Sequence, residues 1–384
     1  MQQPEGYEDR TDRVCKLNRS LYGLKQSPRN WNARFNEFLE SEGFSVVPED
    51  ACVYVRERGQ DVTIVCLYVD DGLVCGTRRS TTDSFIQKLG KAFDVTVNEP
   101  DCYVGMELKR DREARTISIS QSGYISRMLQ RFGLLDAKEV VTPIEPSVKL
   151  MDDSSRDAED CPYREAIGCL NYVSTISRPD ITFAVNTLAR FSGKQRLVHW
   201  NAVKRVMRFL KGTIDYSITY GGSEEVGLTG YCDSDWGGDE LERKSTSGYV
   251  FTLNSGPVAW SSQIQKTSAL SVTEAEYVSL AEALKECLWL RPFLRSLGHE
   301  SIGATPIKVD NQAAIALSRN PEFHKRTKHV GIRYHRIRQE QEAGIVAVDY
   351  VETEWNPADA LTKGVTSGQL ERCLRGLNVF RSGT

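Results

Sequence analysis

Apolar and polar positions alternate in two distinct rhythms along this chain. In PRNWNARFNEFLE, Trp31, Phe35, Phe38 and Leu39 recur at helical intervals, which predicts a helix over residues 28–40. Residues 61–77 instead read as a hairpin. The apolar run TIVCLYV enters it, and the turn is expected at Asp70, Asp71 and Gly72. A helix over 85–93, strands over 102–108 and 116–120, and a helix over 121–132 follow. Residues 140–160 carry Pro143, Pro146 and a run of Asp and Ser without periodicity, which predicts a linker. Residues 163–212 are helical in pattern. There Val203, Val206, Met207 and Leu210 form one face, and Lys204, Arg208 and Lys211 lie on another. From about 226 the rhythm changes again, with strands over 228–235, 248–253 and 257–261. A long helix over 273–297 opens at Ser271 or Thr273 as cap. A short strand over 307–310, a helix over 312–318, a basic helical stretch and a strand over 345–351 come next. A last helix opens at Pro357.

Charge alters this picture locally. The 384 residues sum to a net charge of −3, so the whole chain does not read as a polyanion binder. Yet Arg190 to Lys211 holds seven Lys or Arg and no acid, and His324 to Arg338 holds six with no acid. Two such stretches in a net-acidic chain point to phosphate contacts rather than to a merely solvated face. Lys204, Arg208 and Lys211 are candidates in the first, and Lys325, Arg326, Lys328, His329, Arg333 and His335 in the second. Ten cysteines occur with no C-x-x-C pair, which argues against a zinc ribbon and for free thiols in a reducing compartment. No apolar run approaches the ~20 residues of a membrane span, and MQQPEGYEDR has no signal-peptide core.

Acidic residues supply the candidate chemistry. Asp70 and Asp71 end an apolar strand, where two adjacent anions repel each other. A solvated turn and a cation site are both open readings of that stretch alone. In the C-terminal part Asp233 lies on a strand, Glu276 in the first turns of the long helix, Asp310 at a strand end and Asp359 at a helix start. Converging carboxylates in that order suit a pair of divalent cations about 3.5–4 Å apart that clamp the attacking and leaving oxygens of a phosphodiester. Asp235 and Glu274 compete with Asp233 and Glu276 on spacing alone.

The segments LYGLKQSPRNWN, LYVDDGLVCG, ISQSGYISRMLQRFGL, GCLNYVSTISRPDITFAVNTLARF and HWNAVKRVMRFLKGT resemble the reverse transcriptase of copia-type LTR retrotransposon Pol polyproteins. GYCDSDWGGDELERKSTSGYVF, VAWSSQIQKTSALSVTEAEYVSLAEA, VDNQAAIALSRNPEFHKRTKHVGIRYHRIRQ and YVETEWNPADALTKG resemble the ribonuclease H domain of the same family. The resemblance implies an α+β polymerase palm over 1–139, a linker over 140–160 and a helical thumb or connection over 161–222. An α/β ribonuclease H-like domain over 223–366, with a mixed five-stranded sheet flanked by helices, and a tail over 367–384 complete it. It implies that Asp70 and Asp71 are the paired carboxylates of the polymerase YxDD hairpin. Asp233, Glu276, Asp310 and Asp359 would be the four metal-binding acids of the nuclease. Asp233 is preferred to Asp235 as the first acid after the Gly-Tyr strand, and Glu276 to Glu274 because it precedes Tyr277.

Mg2+ or Mn2+, two per nuclease site, is the implied cofactor. RNA/DNA hybrid, DNA and RNA are the implied partners, and the implied location is cytoplasmic, in a virus-like particle. The family's third polymerase aspartate lies upstream of the residues matching MQQPEGY, and so do the fingers. The expectation is therefore a working nuclease attached to an incomplete polymerase, unless upstream Pol segments are supplied in trans. Such a chain would resemble the 3′ end of the reading frame, either a truncated copy or a gene model begun at an internal methionine. A nucleic-acid-binding remnant without turnover is the alternative function.

Other signals weigh less. His324, His329 and His335 invite a zinc reading, but no cysteine follows at finger distance, and phosphate recognition fits better. GDELERKS has Arg243 where a phosphate-binding loop needs Gly. The six tryptophans read as core or hinge residues, and Cys66 and Cys75 as small core residues.

Overall fold

The computed structural model describes residues 1–146, 148–151, 156–157, 161–222, 227–239, 241–299, 303–319 and 331–381. The chain divides into two compact units, Met1–Asn98 and Glu99–Thr384.

In the first unit, α1 (Ser27–Ser41) precedes an antiparallel meander of β1 (Ser45–Val47), β2 (Asp50–Arg58), β3 (Asp61–Tyr68) and β4 (Asp71–Gly76), and α2 (Arg79–Ala92) follows. The helical spacing read from sequence places Phe35 and Leu39 of α1 in a core with Phe44, Tyr54, Val65 and Phe85. Tyr68 pairs with Asp71, so the hairpin turns at Val69 and Asp70, earlier than the Asp70-Asp71-Gly72 turn expected. A two-residue hairpin loop favours a left-handed residue at its first position. Val69 takes that role at φ +56° although it is β-branched, at a cost of about 1–3 kcal/mol.

The second unit holds two sheets. One is built from β5 (Cys102–Tyr103), β6 (Met106–Asp111), β7 (Thr116–Ser120), β8 (Tyr216–Gly221) and β14 (Val379–Arg381). It is antiparallel, in the order β14-β8-β7-β6-β5. Between β7 and β8 run α3 (Ser122–Arg131), α4 (Tyr163–Ile176), α5 (Thr182–Ala189) and α6 (Leu197–Gly212). In the other sheet β9 (Thr229–Asp235), β10 (Thr246–Leu253) and β11 (Gly256–Ile264) are antiparallel, while β12 (Thr305–Val309) runs parallel to both β9 and β13 (Val346–Tyr350). Its order is β11-β10-β9-β12-β13. The mixed five-stranded sheet flanked by helices is thus present. α7 (Val272–Ser296) packs Tyr277, Leu280, Leu284 and Cys287 onto Cys232, Phe251, Ile307 and Val309. The helices α8 (Gln312–Arg319) and α9 (Gly331–Glu342) precede β13, and α10 (Ser367–Gly376) precedes β14.

At three expected boundaries the structure shows contacts that local sequence does not. The first compact unit ends at Asn98, inside the expected palm of 1–139, and β7 pairs with β8 across a hundred intervening residues. Such non-local pairing leaves no mark in local sequence. Within the expected linker, the described residues Thr142, Ile144 and Leu150 are buried, so that part is no free tether. Nor do residues 367–381 of the expected tail stand free: Leu370, Cys373, Leu374 and Leu377 repeat at helical spacing, and with Val379 they enter the core of α3 to α6. That core also holds a buried fork. Arg178 contacts both carboxylate oxygens of Asp180, at 2.9 and 2.7 Å, and donates to Thr213 O at 3.0 Å and Thr213 Oγ1 at 2.7 Å.

Candidate metal centre

Local sequence explains each carboxylate's position. Asp233 lies on β9 directly opposite Gly248 of β10. A Cβ on Gly248 would stand 2.7 Å from Thr362 Cγ2 and 2.8 Å from Leu361 Cβ, so glycine lets the 3-10 turn Pro357–Leu361 close over the strand pair. That turn begins at Asn356, whose Oδ1 accepts from Ala358 N at 3.2 Å and whose Nδ2 donates to Cys232 O at 3.0 Å. The sequence reading of an α-helix opening at Pro357 is corrected here to a 3-10 turn, and the α-helix starts at Ser367. Gly248→Ala should therefore lower stability by about 1–3 kcal/mol through overpacking. Chemical denaturation of the purified chain measures this, and an unchanged midpoint would mean the turn does not bear on the strand.

Glu276 and its competitor Glu274 do different work. Ser271 Oγ accepts from Glu274 N at 3.1 Å, and Glu274 Oε2 accepts from Leu270 N at 2.9 Å, so Glu274 serves the helix cap. Glu276 faces inward, with Ser234 N donating to its Oε1 at 3.3 Å. Its Oε2 is buried without a hydrogen-bond partner.

One carboxylate oxygen from each of Asp233, Glu276 and Asp310 lies within 4.8 Å of the others. Among the described residues this is the group of three or more that could hold a cation, and Asp235 is outside it. Asp359, fully buried, stands beside the cluster and shares Lys363 with it. Lys363 Nζ is 3.1 Å from Asp359 Oδ1 and 3.5 Å from Asp233 Oδ2. Thr362 Oγ1 donates to Asp233 Oδ2, and Gln369 Nε2 of α10 donates to Asp359 Oδ2.

The electrostatics follow from crowding. Burial, then the charges of Asp233 and Asp310, push Glu276 up to about 9. Burial and Asp233 push Asp359 up to about 7, against the pull of Lys363. Asp310 is also raised, by burial and then by Asp233. Burial opposes the Lys363 charge, but Asp233 and Asp359 outweigh it and hold its pKa above the ordinary value. A buried orphan oxygen and acids that cannot all ionise together fit a hard divalent cation, which would neutralise them.

Lys363, Thr362, Asn356 and Gln369 were not singled out from sequence. Lys363 could have been, because it follows Asp359 by four residues, a spacing that brings side chains onto one face.

The remaining candidates lie elsewhere. Asp70 and Asp71 are exposed at the β3–β4 hairpin of the first unit. On α6, Arg208 Nε donates to Lys138 O and Lys211 Nζ to Ala137 O at 2.8 Å. Two members of the expected phosphate-binding face thus fasten the segment after α3, while Lys204 is half-buried. His335 is exposed on α9, and only the backbone of Arg333 is described there. Lys325, Arg326, Lys328 and His329 lie outside the described residues. No described helix is long and apolar enough to cross a membrane.

A family model described as reverse transcriptase (RNA-dependent DNA polymerase) matches residues 1–146. The chain belongs to the copia-type retrotransposon Pol family. It is 30% identical over 291 residues to the transposon Ty5-1 protein YCL074W of Saccharomyces cerevisiae, covering 74% of this chain and 94% of that one. It is 40% identical over 385 residues to the retrovirus-related Pol polyprotein from transposon TNT 1-94 of Nicotiana tabacum, covering 97% of this chain. It spans only 29% of that polyprotein's length. A solved structure, LC11-RNase H1 in complex with RNA/DNA hybrid, is similar at 18% identity and a TM-score of 0.27, over 35% of this chain and 93% of that one.

Proposed function

We propose that this chain hydrolyses the RNA strand of RNA/DNA hybrids through Asp233, Glu276, Asp310 and Asp359, with Mg2+ or Mn2+, two per site. The observation that carries the reading is the convergence of Asp233, Glu276 and Asp310 around a buried, unpartnered Glu276 Oε2. When bound, the cations would supply the charge that activates water and stabilises the leaving 3′ oxygen. The chain's own part is to hold the acids. Ser234 N orients Glu276, the Thr362 hydroxyl orients Asp233, and Gln369 orients Asp359. Lys363 adds a fixed positive charge at the Asp233–Asp359 edge, where a scissile phosphate would approach.

Asp70 and Asp71 are read as the metal-binding pair of a polymerase hairpin. No described third acid joins them within cation-sharing distance. The chain by itself is therefore read as a nuclease, not a polymerase, with upstream Pol segments as partners for polymerisation.

The test is the full chain with Mg2+, a labelled RNA/DNA hybrid and, in parallel, a primed template. The RNA strand should be cut, the DNA strand and free RNA spared, and cutting abolished by chelator. No labelled nucleotide should be incorporated. An intact hybrid at every Mg2+ and Mn2+ concentration would defeat the nuclease reading. Incorporation abolished by Asp70→Ala would defeat the polymerase part.

A further inference from the structure

A second feature lies in the first unit, at the far end of the sheet from the Asp70–Asp71 hairpin. A cavity of about 280 Å³ opens where β2 ends, β3 begins and α2 begins. The cations Arg56, Arg58 and Lys88 line it, together with the hydroxyls of Ser80, Thr81 and Ser84. Arg56 and Arg58 stand two apart on β2 and so project from the same face of the sheet. Ser80 and Thr81 lie in the first turn of α2, with Ser84 and Lys88 on the following turns. The helix starts without a side-chain cap, at the end that carries the positive pole of its dipole.

The charge around this cavity does not cancel. Asp61, also in its wall, is engaged by Arg78 at 2.8 Å, and Glu42 by Lys88 at 2.7 Å and Arg56 at 3.9 Å. Four cations therefore face two carboxylates. Arg56 is the telling member. Its side chain is only 4% exposed, its guanidinium lies 4.5 Å from the Phe44 ring centroid and 5.4 Å from that of Phe85, and its Nε has no hydrogen-bond partner. Burying an incompletely satisfied guanidinium costs free energy that an apolar residue at this position would not. A bound dianion would recover that cost, with the flanking hydroxyls as further donors.

We propose that this cavity binds a phosphate group. The eight residues of β3 separate it from the hairpin turn, about 25 Å at ~3.4 Å per residue. It is thus a site apart from the Asp70–Asp71 pair. The phosphate could be supplied by a nucleic-acid backbone or by a free phosphate or mononucleotide, and the chemistry of recognition is the same.

The experiment uses the full chain, with inorganic phosphate, a nucleoside 5′-monophosphate and a short single-stranded DNA as separate probes. Binding is read by calorimetry and by the thermal midpoint. The variants are Ser84→Asp, which places a carboxylate at the cavity, and the pair Arg58→Met with Lys88→Met. Both act at exposed positions, so they spare the buried Arg56. A Lys109→Met and Arg110→Met pair on β6 is the control for reduced surface charge. Phosphate should bind the wild type and raise its midpoint. Either cavity variant should weaken that binding by about tenfold or more, which is 1.4 kcal/mol or more, and the control should not. If the source is nucleic acid, the cavity variants also weaken oligonucleotide binding. Its salt dependence then flattens by about 0.7 for each single-strand phosphate no longer neutralised. If the source is a free phosphate or mononucleotide, oligonucleotide binding is unchanged while the small probes bind less tightly. Phosphate binding that is undetectable in the wild type, or equal in the wild type and both cavity variants, overturns the proposal.

Discussion

Asp310→Asn should lower hybrid cleavage by about a hundredfold or more while leaving hybrid binding in place. The substitution keeps the shape and one acceptor oxygen, but removes a charge from the group that Asp233, Glu276 and Asp310 form. In the metal-free protein the variant should be as stable as the wild type or slightly more so. Burial and the neighbouring Asp233 already disfavour the Asp310 charge, so its removal relieves repulsion. If Asp310 merely closed the end of its strand, the two readouts would exchange, with stability reduced and cleavage kept. Cleavage rate, hybrid affinity by filter binding and the thermal midpoint in chelator separate the cases. Equal cleavage by the two proteins would remove Asp310 from the centre and weaken the assignment of its neighbours.

The metal-free protein should also lose stability as pH rises, over a window set by two acids. Glu276 goes from an ordinary 4.5 to about 9 on folding, and Asp359 from 3.8 to about 7, in both cases through burial first and the Asp233 charge second. A raised acid binds its proton more tightly in the folded state. Stability from that proton is therefore complete below the unfolded pKa and drains away as pH climbs through the folded one. The limiting slope is about 1.4 kcal/mol per pH unit for one proton. The decline should begin near pH 4, steepen while both acids contribute, and continue on Glu276 alone from about 7 to about 9. Mg2+ or Mn2+ should reverse the trend, since a bound cation takes the place of the protons. Calorimetry in two buffers of different ionisation enthalpy should accordingly show proton release on metal binding, greatest below about 7, where both acids hold protons, and smaller from about 7 to about 9, where only Glu276 does. A thermal midpoint flat from pH 5 to 9, with a pH-independent metal effect, would contradict this account of the cluster.

How much of this was legible in the sequence depends on how local each cause is. The strand carrying Asp233, the capped helix carrying Glu276 and the short strand before Asp310 announce themselves, because periodicity and capping act over a few residues. Spacing alone left Glu276 and Glu274 level and the resemblance preferred Glu276, but only geometry shows Glu274 spent on the cap. β8 and β14 went unseen because they pair with each other across more than 150 residues, and β8 pairs with β7 from a hundred away. The basic face of α6 was visible as charge, but charge alone does not say that Arg208 and Lys211 are tied to backbone carbonyls. Lys363 was hidden by the same blindness to contact, although its spacing from Asp359 was in plain view.

The turn bearing Asp359 bonds the sheet through Asn356 and the Cys232 carbonyl, but its apolar side chains pack elsewhere. Its Ala360 and Leu361 belong to the core of α3 to α6, and Gln369, which holds its carboxylate, comes from the helix beyond. The candidate centre thus spans two hydrophobic cores within one compact unit. A segment of residues 229–350 alone would carry Asp233, Glu276 and Asp310, and would leave Asp359, Ala360 and Leu361 behind with the helical core.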